Sequence, residues 1–67
     1  MSNELIERDP CPGLRVLFEV EGGKITAYTQ TEEGTIRVVG GKVPPEEVET
    51  WISSHTEGEL QAFQALQ

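Results

Sequence analysis

Side chains that commonly carry out covalent or metal chemistry are scarce in this chain of 67 residues, which has one cysteine, Cys11, and one histidine, His55. A thiolate nucleophile needs a base within hydrogen-bond reach, and a structural zinc site needs about four Cys or His ligands. The glycine pairs at 22–23 and 40–41 have neither the spacing nor the lysine of a phosphate-binding loop. We therefore expect no catalytic residue, no metal site and no cofactor, and we interpret the chain as not an enzyme.

The charge distribution favours a protein partner over nucleic acid. The net charge is −7, and residues 44–67 contain five acids and no lysine or arginine. Proteins that bind phosphate backbones gain affinity from lysine and arginine, so the charge balance disfavours a nucleic-acid partner. An acidic surface attracts a basic partner. The acidic face that we expect to contact such a partner consists of Glu49, Glu57 and Glu59.

The region that must position any binding surface begins with a predicted β-hairpin. Residues 14–21 alternate between apolar and mainly polar side chains, which is typical of a half-buried strand. Gly22-Gly23 supplies the positive φ angles of a two-residue hairpin turn. Counting outward from this turn predicts six cross-strand pairs: Glu21 with Lys24, Val20 with Ile25, Phe18 with Ala27, Leu17 with Tyr28, Val16 with Thr29, and Arg15 with Gln30.

A second turn is predicted at Glu32-Glu33-Gly34-Thr35, with the third strand ending at Gly40-Gly41. A loop of two or four residues pairs Thr31 with Ile36, Thr29 with Val38 and Tyr28 with Val39. A three-residue loop would turn the strand over and expose Ile36 and Val38, because side chains alternate between the two faces. We therefore predict the register that buries them.

The C-terminal third reads as helical. Pro44-Pro45-Glu46-Glu47 is a typical helix start, and residues 48, 51, 52 and 55 then share one face. Thr56-Glu57-Gly58-Glu59 has the form of a capping box, which favours a second short helix over one continuous helix.

These elements predict an α+β fold, in which a three-stranded antiparallel β-meander is packed on one face by a C-terminal helical segment of one helix or two short helices. Residues 1–13 are expected to form a flexible lead-in and residues 14–67 a single small domain, because Pro10 and Pro12-Gly13 interrupt the first segment. The predicted core consists of Phe18, Val20, Ile25, Ile36, Val38, Val48, Trp51 and Ile52.

The outer face of the predicted sheet is unexpectedly apolar. In the predicted register, Leu17, Tyr28 and Val39 form one row across three strands, and Arg15, Gln30 and Arg37 form the next. An uncovered outer face is usually polar. We expect these six residues either to contact a partner or a second copy, or to be covered by the first eight residues through Leu5 and Ile6.

The sequence thus predicts a small acidic, non-catalytic protein-binding module, such as an inhibitor, an antitoxin or an adaptor. Its protein partner would be basic or nucleic-acid-binding. One alternative is a single-stranded nucleic-acid binder that uses Tyr28 with Arg15 and Arg37 on the sheet face. Another is a structural homo-oligomer. No apolar run is long enough to span a membrane, and with a single cysteine a cytoplasmic location is expected.

Overall fold

A computed structural model describes residues 3–34 and 36–66 and shows an α+β fold. Four antiparallel strands form one open sheet in the order β1-β2-β3-β4, followed by a helix. The α+β class is confirmed, whereas the prediction of three strands is wrong. The elements are β1 Glu4–Cys11, β2 Leu14–Glu21, β3 Lys24–Thr31, β4 Ile36–Lys42, a 3₁₀ turn at Pro45–Glu47, and α1 Val48–Ala65.

The additional strand, β1, lies in the segment that was expected to be a lead-in. It pairs with β2 from Glu4, opposite Val20, to Cys11, opposite Leu14, with an irregularity between Arg8 and Cys11. Gly13 has φ of 88°, a conformation that glycine adopts without strain and that returns the chain into β2. Pro10 therefore lies within the strand, and Pro12 lies in the turn that follows it.

The β2–β3 hairpin has the predicted register in all six pairs, from Glu21 with Lys24 to Arg15 with Gln30. Gly22 and Gly23 have φ of 52° and 81°, as a type I′ turn requires. The turn chemistry and the burial pattern agree here, so the prediction is confirmed.

Strand β4 is turned over relative to the prediction. Gln30 pairs with Ile36, Tyr28 with Val38 and Ala27 with Val39, which shifts the predicted register by one residue. The Gly34 N–H donates to the Thr31 carbonyl at 3.0 Å, and Gly34 has φ of 86°. This arrangement is typical of a three-residue hairpin loop, although Thr35 lies outside the described residues. The strand also continues through Gly40 and Gly41 to Lys42.

One helix, rather than two, follows the sheet. Helix α1 runs from Val48 to Ala65 without a break at Gly58. Instead of capping a second helix, the Thr56 Oγ1 hydroxyl donates to the Ile52 carbonyl one turn earlier at 2.7 Å. The preference for a break is therefore wrong, because a single glycine costs a helix only about 1 kcal/mol and inward-facing side chains on both sides of it hold the helix on the sheet.

The core lies between α1 and one face of the sheet, which we call the inner face. Phe18, Ile25 and Ile52 are buried as predicted, and each contributes about 1.5–3 kcal/mol by leaving water. Val20, Val48 and Trp51 are partly buried against this cluster. Ile36 and Val38 are 59% and 57% exposed, so their placement in the core is wrong. The buried apolar residues are Leu14, Val16, Phe18, Ile25, Ala27, Val43 and Ile52.

Candidate functional site

The face of the sheet opposite α1, here called the outer face, carries a row of large side chains that crosses three strands. Leu17 pairs with Tyr28, and Tyr28 pairs with Val38. Ile36 lies beside Val38 on the same face, because residues two apart on a strand share a face. Leu17 and Tyr28 are half-buried, whereas Ile36 and Val38 are exposed. We call Leu17, Tyr28, Ile36 and Val38 the outer patch.

Four of the six sheet-face residues predicted from sequence do lie on the outer face: Arg15, Leu17, Tyr28 and Gln30. The other two, Arg37 and Val39, lie on the inner face, because β4 is turned over by one residue. Val39 is half-buried beside Ala27, and its predicted place in the row is taken by Val38. The placement of Arg37 and Val39 on the outer face is therefore wrong.

The outer patch has an acidic border on its β1 and β2 side. Arg15 lies 3.3 Å from a Glu7 oxygen and 3.2 Å from an Asp9 oxygen, and all three side chains are largely exposed. The Tyr28 hydroxyl donates to Glu19 at 3.4 Å, which directs the polar end of the ring toward β2. One base therefore faces three acids in this border, and Arg15 is already engaged by two of them.

The first residues do not cover this face. Leu5 pairs with Glu19 and Ile6 with Phe18, so residues 4–8 extend the sheet sideways. Leu5 is 65% exposed on the outer face, while Ile6 turns inward and packs against the core. Coverage of the row by Leu5 and Ile6 is thus wrong for the described residues.

A polar cluster sits on the inner face, between β4 and the middle of α1. The Arg37 guanidinium donates to a Glu59 oxygen, and Glu59 is only 8% exposed. The same Glu59 oxygen lies 3.8 Å from the His55 Nε2 atom, beyond hydrogen-bond reach. Because a buried carboxylate needs compensation, Arg37 is the natural partner of Glu59.

His55 is held between aromatic rings. Its ring stacks on Trp51 with centroids 5.1 Å apart and meets the Phe18 ring edge-on at 5.8 Å. Burial lowers the pKa of His55, and the positive charge of Arg37 lowers it further. The nearby Glu59 carboxylate is already neutralised by Arg37. A structural role as a neutral aromatic ring follows, not that of a base poised in a pocket.

The three acids that were predicted to form one acidic face separate into two groups. Glu49 and Glu57 are exposed on α1, where a partner can reach them. Glu59 points at the sheet, is buried and is paired with Arg37. Its placement on an exposed acidic face is therefore wrong. The acidic surface of the helix therefore includes Glu49 and Glu57 without Glu59.

Cys11 and His55 occupy different elements of the fold. Cys11 pairs with Leu14 at the end of β1, whereas His55 lies within the α1 packing on the inner face. Across residues 3–34 and 36–66 no group of three or more His, Cys, Asp or Glu side chains could hold a metal ion. A depression of about 810 Å³, open to solvent, lies where the β2–β3 turn meets the start of α1 and is lined partly by Val20, Val43 and Val48.

Sequence reasoning missed Ile36 and Val38 as surface residues. The available signal was Gly34, which suits the left-handed position at the end of a three-residue loop. Burial of the larger apolar residues favours the opposite face of β4, whereas the turn at Gly34 agrees with the observed one.

Within the described residues α1 is not apolar enough to cross a membrane. Comparison of the chain with models of protein families, with curated protein sequences and with solved structures gave no match.

Proposed function

We propose that this protein is a small acidic, non-catalytic protein-binding module that contacts its partner through the outer patch. The observation that carries the proposal is the exposure of Ile36 and Val38, at 59% and 57%, beside Leu17 and Tyr28. The helix occupies the opposite face and cannot cover them. A contiguous apolar patch with a polar rim is typical of an interaction site.

The composition of the patch suits a protein partner. A tyrosine anchored at its hydroxyl offers a large amphipathic surface, and β-branched residues on a strand lose little entropy on contact. Arg15 and Gln30 lie in the neighbouring row with Ile36 and form a polar border alongside Leu17 and Tyr28. Such a site resembles the apolar centre and polar rim of protein interfaces.

The charges around the patch favour a basic partner. Glu7, Asp9 and Glu19 border it on the β1 and β2 side, and Arg15 is engaged by the first two. Net charge of −7 would steer a basic protein toward this surface and accelerate its encounter. An inhibitor, antitoxin or adaptor of a basic or nucleic-acid-binding protein fits this description.

The proposal does not extend to direct binding of single-stranded nucleic acid. That alternative depended on Arg15 and Arg37 flanking Tyr28. Arg37 lies on the opposite face with Glu59, and Arg15 is engaged by Glu7 and Asp9. The two cations that would contact phosphates are therefore not available beside the aromatic ring.

The test compares three immobilised proteins in an extract of source cells, with bound proteins quantified by mass spectrometry. Val38→Ser removes one apolar side chain from the outer patch. Leu66→Ser is the matched control, because Leu66 is 88% exposed at the end of the helix and outside the patch. The proposal predicts a basic protein that binds the wild type and Leu66→Ser but is lost with Val38→Ser. Equal recovery on all three proteins would contradict it.

A further inference from the structure

Strand β4 is an open edge of the sheet, and helix α1 covers its inner face only in part. It is the last strand in the order β1-β2-β3-β4, and six of its seven residues are exposed. Helix α1 packs closest to β1 and β2, at the other side of the sheet. Only Val39 is half-buried in β4. Another extended chain can therefore approach β4 without displacing any described part of the protein.

The backbone groups that face this edge can be assigned by alternation. In an antiparallel pair, successive residues direct their N–H and C=O groups alternately toward the neighbouring strand and away from it. The Val43 N–H donates to the Gly23 carbonyl at 2.9 Å, which extends the β3–β4 ladder and places odd-numbered residues toward β3. The backbone groups of Ile36, Val38 and Gly40 therefore point outward from the sheet.

The opposite edge, β1, is protected against strand addition. Its sequence includes Glu7, Arg8, Asp9 and Pro10, and its pairing is irregular between Arg8 and Cys11. Charged residues, proline and bulges are the devices by which proteins block edge strands. Strand β4 has no proline and no bulge among its described pairs, and its outward-facing residues include Ile36 and Val38.

We propose that β4 pairs antiparallel with β4 of a second copy, so that two sheets join into one continuous sheet of eight strands about a two-fold axis. A two-fold contact requires a surface that is complementary to itself. Strand β4 meets this requirement, because an acidic turn precedes it and a basic residue ends it. Antiparallel pairing brings Glu32 and Glu33 of each copy toward Lys42 of the other.

The surrounding charges allow this approach. Strands β3 and β4 carry Lys24, Arg37 and Lys42 and no acids, whereas eight of the twelve acids lie on β1, β2 and α1. The edges that meet are thus the least acidic part of a chain with net charge −7. Ile36 and Val38 from both copies would adjoin on the outer face, which unites the two outer patches into one longer strip.

The edge pairing is tested by placing a proline on each edge of the sheet and measuring mass in solution. Val38→Pro removes an outward N–H and adds bulk to the edge, but removes no bond to β3. Glu7→Pro is the matched control, because Glu7 pairs with Leu17 and its backbone groups point outward from the other edge. Sedimentation equilibrium should give twice 7.4 kDa for the wild type and Glu7→Pro, and 7.4 kDa for Val38→Pro. A wild type that remains monomeric at about 1 mM would overturn the proposal.

Hydrogen exchange on the wild type tests the pairing even if the proline variant fails to fold. The amides of Ile36, Val38 and Gly40 should exchange at least about tenfold more slowly than the outward amides of Leu5 and Glu7, because only the former are hydrogen-bonded in the dimer. Exchange at equal rates on the two edges would overturn the proposal. So would a dimer that persists in Val38→Pro, or slow exchange at β4 that requires added protein of another kind.

Discussion

The Arg37 and Glu59 pair offers the sharpest test of how β4 sits on the helix. Replacing Arg37 with Gln should destabilise the domain, because it leaves the Glu59 carboxylate buried and uncompensated. Breaking a fully buried pair costs about 3–5 kcal/mol. The Arg37 side chain is 60% exposed, so solvent screens part of this loss, and we expect about 1–2 kcal/mol.

Adding Glu59→Gln to the Arg37→Gln variant should restore much of the lost stability, because a neutral amide tolerates burial without a cation. Urea denaturation of the wild type, both single variants and the double variant gives the coupling energy directly. We expect a coupling of about 1 kcal/mol, which corresponds to roughly 4–8 °C in Tm for a domain of this size. Arg15→Gln is the control, since its exposed ion pairs should contribute at most about 1 kcal/mol and no coupling to Glu59.

A coupling below about 0.3 kcal/mol between Arg37 and Glu59 would refute this reasoning, since such values are typical of residues that do not touch. It would also favour the register in which Arg37 faces outward. The cycle therefore tests both the ion pair and the face of β4 that the helix covers.

Three further predictions concern burial, pH and charge. Val16→Thr should cost about 1–3 kcal/mol in urea denaturation by burying a hydroxyl, whereas Val38→Thr should change stability by less than about 0.5 kcal/mol; equal losses would contradict the observed faces. His55 should titrate in NMR with a pKa below its ordinary value of about 6.5. Its contribution to stability is then complete above a pH of about 6.5 and is lost as the pH falls through the folded-state pKa. A domain that becomes more stable as the pH falls through this window would exclude the assignment. Glu49→Gln combined with Glu57→Gln should slow association with a basic partner and weaken its salt dependence at constant Tm, and unchanged kinetics would limit both acids to solvation.

The β2–β3 hairpin and the start of the helix could be predicted from the sequence, because the residues there are compatible with only one local structure. Gly22-Gly23 fixes the turn, and the alternation on both sides fixes which face is buried. The paired prolines and acids before Val48 likewise specify a helix start.

The sequence predicts the wrong face of β4 as buried, because the two faces of this strand differ little in apolar character. Burying Ile36 and Val38 removes more apolar surface from water than burying Arg37 and Val39, so burial alone favours the wrong register. The observed register gains the Gly34 turn and gives the buried Glu59 a cation. The second gain joins residues far apart in sequence, which no local pattern shows.

Strand β1 and the continuous helix were missed for related reasons. An edge strand needs charges for protection, so β1 lacks the regular apolar alternation by which β2 was recognised. The helix passes through Gly58 because Ile52, His55 and Glu59 all face the sheet and hold it in place. In both cases tertiary packing outweighed local propensity.

The central claim is that β4 presents Ile36 and Val38 to the outside of the sheet, since the outer patch, the open edge and the Arg37 ion pair all depend on it. The most direct measurement is the set of contacts between Hα protons of β3 and β4 in NMR. Residues that pair without mutual hydrogen bonds have Cα atoms about 4.5 Å apart, so their Hα protons give strong cross-peaks. The observed register predicts a strong cross-peak between Tyr28 and Val38. A strong cross-peak of Tyr28 with Val39 in its place would contradict the account, because Tyr28 faces Val39 in the register that buries Val38.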